Sequence, residues 1–340
     1  MWLEIILATP VPLQRGKCVL KANQSTMAND KTFIQVAEIW IPSRNRQQLE
    51  WSSGMYGPHT DFRIATENMT FQFDEGLPGK AWAQRHPVLF TDLQIPAFLR
   101  ADAARNAGLR SAVAIPVFAG DFLLAVVVLF CSDDANHVGT MELWHNDAQT
   151  SSGLTLDEGY FGHMDAFEWI SRRTEFRSGF GLPGLAWQTG KPVVMADLGH
   201  SQRFVRRADA LRVGINKGLA IPFSLIPGHT YVLAFLSALG TPIARRFEIW
   251  EPDAHGSLTF AGGDCDCDPD FAQAYDGVAF ASGVGPLGGT LRSGLPGLIK
   301  FSADDFTPLG AAASEAGLNA MLTLPTIENG RLTSVVAMYF

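Results

Sequence analysis

Asp264-Cys265-Asp266-Cys267-Asp268-Pro269-Asp270 is the densest group of potential ligands in the chain. Alternating carboxylates are what the first half of a calcium loop requires. Here Pro269 stands where the sharp-turn glycine belongs, and Tyr275 where the bidentate glutamate belongs. The Cys265-x-Cys267 pair offers two soft ligands with no second pair nearby, which is short of a zinc set. The string reads as an acidic, solvated loop. His145, His163 and His200 are scattered, and no Ser/His/Asp or Cys/His order recurs. No catalytic residue and no metal ligand is assigned, and the chain reads as non-enzymatic.

Three Gly-Leu-Pro-Gly turns, at Gly76–Gly79, Gly181–Gly184 and Gly294–Gly297, are the next candidates. Each opens a helix, and a helix N-terminus can hold an anion. The spacing is not that of a phosphate-binding loop, so the plainer reading is turn chemistry in which glycine supplies an unusual φ.

These turns belong to a longer repeat. Each copy opens on a strand-like Glu-apolar-Trp: Glu38-Ile39-Trp40, Glu142-Leu143-Trp144 and Glu248-Ile249-Trp250. Each ends a helix at Gly108, Gly214 or Gly317, and carries a proline eight residues later at Pro116, Pro222 or Pro325. The period of 103 to 106 residues is the size of a small domain, not of a solenoid unit. The order within a copy is strand, strand, short helix, short strand, helix, strand, strand, which predicts an α+β unit with helices packed on an antiparallel sheet. The divisions are a 1–30 extension, disordered or a misassigned start with Met27 as the natural one, then domains over 31–134, 135–241 and 242–340. In copy three the distance from Gly294 to Gly317 is 23 residues, against 32 and 33 in the others. That predicts a lost pocket strand and a third copy acting as a structural cap.

Composition narrows the classes. Hydrophobic residues make up 47% and charged residues 18% of 340, which is globular. The net charge of -8 and the absence of a long basic run argue against a nucleic-acid partner. No apolar run reaches membrane-spanning length. Four irregularly placed cysteines do not make a disulfide framework and fit a reducing cytoplasm.

The Gly-Leu-Pro-Gly turn with its following Ala-Trp, the run Thr189–Leu198 (Thr-Gly-Lys-Pro-Val-Val-Met-Ala-Asp-Leu) and the run Gly214–Pro222 resemble the GAF domain family. Copy two is nearest the pattern, copy one near, and copy three degenerate. The resemblance implies three tandem GAF-like domains in a cytoplasmic sensory protein. It also implies a small molecule held between sheet and helices, with signalling through a separate output protein. It puts Trp187, Met195, Asp197 and Phe204 of copy two, and Trp82, Phe90, Asp92 and Phe98 of copy one, at the candidate pocket. Each aromatic has ordinary core as its plainer role, and each aspartate a cap or turn. The ligand and any cofactor are unknown. A ligand-free interaction or dimerisation scaffold is the alternative, and a GAF-type redox enzyme the second alternative. Cys131 on the closing strand does not suit bilin attachment. The links between copies are too short for long signalling helices, and the chain ends on its final strand with no output segment.

Overall fold

The computed structural model describes residues 32–132, 138–238, 240–265, 277–301, 308–328 and 330–340. All lie within one compact unit, Lys31–Phe340. The 1–30 extension and the Asp266–Asp270 part of the acidic string, Cys267 included, lie outside the described residues.

The first sheet is built from β1 (Ile34–Pro42), β2 (Gln48–Met55), β3 (Thr70–Gln72), β4 (Val88–Phe90), β5 (Leu109–Ala119) and β6 (Phe122–Ser132). The second uses β7 (Gly139–Asp147), β8 (Gly153–Tyr160), β9 (Glu175–Arg177), β10 (Val193–Met195), β11 (Ile215–Phe223) and β12 (His229–Ala238). The third uses β13 (Arg246–Pro252), β14 (Ser257–Cys265), β15 (Ala279–Ala281), β16 (Gly297–Lys300), β17 (Ala320–Glu328) and β18 (Arg331–Tyr339). The strand order is β3-β2-β1-β6-β5-β4, and it recurs in the other two sheets. The pairings are antiparallel throughout.

Three helices pack on the first sheet: α1 (Thr60–Glu67), α2 (Gly76–Gln84) and α3 (Ala101–Asn106). α4 (Asp165–Ser171), α5 (Gly181–Thr189) and α6 (Arg207–Val213) pack on the second. α7 (Gly285–Ser293) and α8 (Pro308–Glu315) belong to the third. The expected order thus gains a helix and a short edge strand, α1 with β3 and α4 with β9. They occupy the polar stretch after the second strand, where apolar periodicity is too sparse to mark them.

The third copy needs a correction. Its pocket strand is present: β16 pairs with β17 as β10 pairs with β11. The helix that corresponds to α5 is α7, opened by Gly285-Pro286-Leu287-Gly288. Gly294 is its left-handed C-cap, as Gly190 is for α5. Gly285 to Gly317 is 32 residues, so nothing is missing. The Gly-Leu-Pro-Gly match at Gly294 was out of register by one helix, because Leu and Pro are exchanged in the true turn.

Both faces of each sheet are apolar, and that decides the assembly. One face packs under its own helices. The other faces a core shared by all three sheets, which contains Val127 and Leu129 from β6, Leu233 and Phe235 from β12, and Val336 and Met338 from β18, all buried. Sheets with two apolar faces need cover on both, and here the three backs cover one another. Phe33 and Ile34 donate backbone N–H groups to Pro242 and Ile243 carbonyls, tying the start of the first sheet to the link between the second and third. The repeated prolines 116, 222 and 325 line a single narrow recess. Each lies two residues past its strand's last pair with the short edge strand: Ala114 with Val88, Ala220 with Val193, Thr323 with Gly297. A missing N–H there breaks no ladder bond on that side.

Candidate functional site

Glu38, Glu142 and Glu248 alternate toward the helices rather than toward the shared core, and all three are fully buried. In every domain the tryptophan two residues on donates its indole N–H to the glutamate, at 2.9, 2.9 and 2.8 Å. That tryptophan meets the edge of a phenylalanine on the short edge strand: Trp40 on Phe71, Trp144 on Phe176 and Trp250 on Phe280.

A buried carboxylate needs a charged partner. In the first domain it is Arg100, whose two terminal nitrogens lie 2.6 and 3.0 Å from the Glu38 oxygens. In the second it is Arg206, at 2.7 Å from each oxygen of Glu142. Each arginine comes from the turn before the last helix of its domain and also donates to a hydroxyl on the first helix, Thr66 or Ser171. The fork geometry is the strong, oriented form of the pair. In the third domain Leu309 occupies the matching sequence position, eight residues before Gly317. The cation there comes from the strand itself: Arg246 Nε donates to Glu248 at 2.5 Å, and the Tyr339 hydroxyl donates at 2.8 Å.

The guanidinium groups sit inside aromatic cages. Arg100 lies over Trp40, Phe62, Phe98 and Phe130, between 4.7 and 5.8 Å from the ring centroids. Arg206 lies over Trp144, Phe167, Phe176 and Phe204, between 4.7 and 5.5 Å. Such faces attract a cation and keep water from it. Nε of each arginine has no hydrogen-bond partner. The Tyr56 hydroxyl, hydrogen-bonded to Glu38, is held strongly in its neutral form, first by burial and then by that carboxylate.

Of the eight residues placed at the pocket from sequence, Phe98 and Phe204 do flank this interior, as cage walls. Trp82 and Trp187 are half-buried on α2 and α5, and Trp82 packs edge-on against Phe73. Phe90 and Met195 sit half-buried on β4 and β10. Asp92 accepts the Gln94 backbone N–H at 2.8 Å, a turn contact, and reaches Arg110 at 3.4 Å. Asp197 is solvent-facing, left-handed at φ 52, and bonded to His200. The glutamate–arginine pair was missed. Its signals were the thrice-repeated glutamate inside an apolar strand and the Phe-x-Arg spacing in Phe98–Arg100 and Phe204–Arg206.

The Gly-Leu-Pro-Gly turns are structural. A Cβ on Gly184 would lie 2.2 Å from the Arg177 carbonyl oxygen, and the same clash recurs at Gly79 and Gly288. Helix and edge strand touch backbone to backbone there. The N–H of Gly79 is already bonded to the Glu75 carbonyl.

A separate cleft of about 480 Å³ opens between the first and second domains. Thr91 and Arg110 form one wall, and Glu158, His163, Glu168 and Arg172 the other. Arg110 faces the two carboxylates, and Arg172 pairs with Glu168 at 2.7 Å on its own wall. Among the described residues no group of three His, Cys, Asp or Glu side chains is placed to hold a metal, and no helix is long and apolar enough to cross a membrane.

The GAF domain family model matches residues 33–150. With the same sheet written three times, the chain consists of three tandem GAF-like domains of α+β architecture. Among solved structures it is similar to the GAF domain of an Acinetobacter phosphoenolpyruvate-protein phosphotransferase (16% identity, 29% of this chain and 55% of that one, TM-score 0.23). It is similar to a free methionine-R-sulfoxide reductase from Neisseria meningitidis (15%, 29% and 52%, 0.23). It is also similar to the A. aeolicus nlh2 GAF domain (19%, 29% and 58%, 0.24). The chain thus spans little more than half the length of these structures. No curated protein matches it in sequence.

Proposed function

We propose that the chain is a non-catalytic regulatory scaffold, in which three GAF-like domains are locked back to back and act on a separate partner protein. The observation that carries this reading is the Glu142–Arg206 pair with its counterpart Glu38–Arg100. The interior between sheet and helices, where the resemblance would place a ligand, holds the protein's own ion pair. A partner-facing role is supported by exposed apolar side chains at matching places on the outer helical faces. Ile64 on α1 corresponds to Trp169 on α4, and Leu99 before α3 to Val205 before α6.

A second reading, small-molecule sensing, is favoured by the cleft between the first two domains. Its balanced lining suits a small zwitterion better than a flat aromatic ligand.

A thermal-shift screen of the full chain against nucleotides, tetrapyrroles and amino acids tests both. The scaffold reading expects no shift. A shift that persists in Arg172→Ala but disappears in the paired variant Glu142→Gln/Arg206→Met would place a ligand in the interior and sink it. A shift from a zwitterion lost in Arg172→Ala would favour the cleft.

A further inference from the structure

Three rings form a column across the junction of the first two domains, and a fourth joins it edge to edge. His86, just after α2 of the first domain, stacks on Tyr231 of the second at 4.0 Å and 10°. Tyr231 stacks on His145 at 4.3 Å, and His145 meets His229 edge to edge, with near-parallel rings whose centroids lie 5.2 Å apart. His145 and Tyr231 are direct cross-strand partners on β7 and β12, which fixes the pair. His145 Nε2 and His229 Nδ1 lie 2.9 Å apart. That contact needs one ring nitrogen to donate and the other to accept. If both rings become cations, two N–H groups point at each other. His86 Nδ1 lies 2.7 Å from the Pro87 carbonyl, so it carries the proton.

The junction between the second and third domains uses other chemistry at the same place. Lys191 holds the position of His86 and Glu251 that of His145, and they form an ion pair at 2.6 Å. Leu295 holds the position in the third domain. Only the first of the three positions is built from histidines.

We infer that the ring column is an acid-sensitive latch. Neutral, it clamps the rim of the first–second junction, outside the core that all three sheets share; protonated, that rim loosens while the Lys191–Glu251 contact stays closed. Two carboxylates face the column, Asp157 on β8 and Asp147 on β7, and they favour the charged rings. Burial outweighs them. It is the leading cause holding both His86 and His145 below the ordinary imidazole value, with the neighbouring histidines adding to it and, for His86, the Pro87 carbonyl opposing. A histidine lowered in the folded state takes up protons on opening. Its contribution is therefore intact above about pH 6.5 and is lost as pH falls below that value.

The experiment is thermal melting of the full chain between pH 7.5 and 5, wild type against His86→Phe/His145→Phe, which keeps flat rings and removes both the titration of these two residues and the His145–His229 contact. The latch predicts that the wild-type Tm falls by about 2–4 °C more than that of the variant. Parallel slopes would overturn it. Should the variant fail to fold, histidine-selective NMR of the wild type decides. Midpoints for His86 and His145 below 6.5, with exchange rising at residues 86–90 and 229–231 in acid and not at 191 and 251, support the latch. Midpoints at or above 6.5, or a uniform rise in exchange, contradict it.

Discussion

Arg206 meets Glu142 with two parallel hydrogen bonds of 2.7 Å, although the residues are 64 positions apart. Both are buried in the space between sheet and helices. The pair joins strand, helix turn and aromatic cage into one unit. Removing one partner leaves an uncompensated buried charge, so Arg206→Ala is expected to cost ~3–5 kcal/mol. The paired change Glu142→Gln/Arg206→Met should recover most of that loss. Urea denaturation of the three proteins checks both statements, and an unaffected Arg206→Ala would show that the pair is not coupled to folding.

The shared core makes the three sheets one structure. Leu233 lies fully buried in it, beside side chains of the other two domains. Leu233→Ala should cost ~2–5 kcal/mol and shift a single transition for the whole unit. The segment 139–238 expressed alone would expose its apolar back and self-associate. Calorimetry of the variant and size-exclusion chromatography of the segment test this. A monomeric, independently folded segment would contradict it.

Lys191 and Glu251 also pair at 2.6 Å, but their side chains are 44% and 31% exposed. Solvent screens such a pair, and Lys191→Ala should cost no more than ~1 kcal/mol. The contrast with Arg206→Ala, read in the same urea assay, separates burial from distance as the source of strength.

Two glycines a few residues into equivalent helices should respond in opposite ways. Gly184→Ala drives a Cβ to 2.2 Å from the Arg177 carbonyl, and backbone must move. Its cost should exceed ~1–3 kcal/mol, the range for overpacking. Gly289 on α7 has nothing within 4 Å of its Cβ position. Alanine there should stabilise by about 0.4–1 kcal/mol. Thermal melts of both variants give the signs directly.

Much of the fold was legible because it is local. Strand alternation, the Gly-Leu-Pro-Gly turns and the closing hairpins carry their own signals, and the four central strands of each sheet follow from them. α1 and α4 were not legible, since only Phe62 and Thr66 of α1, and Phe167 and Ser171 of α4, turn inward. The third copy misled because Pro286-Leu287 inverts the expected dipeptide and a second Gly-Leu-Pro-Gly stands nine residues later. The interior pair is long-range: nothing near Glu142 in sequence announces Arg206. Likewise, an apolar sheet back says that something covers it, but not that two other copies do.

The central claim is that the interior of these domains is closed by their own ion pair. Native mass spectrometry of the full chain, isolated from its own cells under non-denaturing conditions, tests it most directly. The account predicts the mass of the polypeptide with no small molecule attached. A stoichiometric low-mass adduct that is lost in Glu142→Gln/Arg206→Met would contradict it.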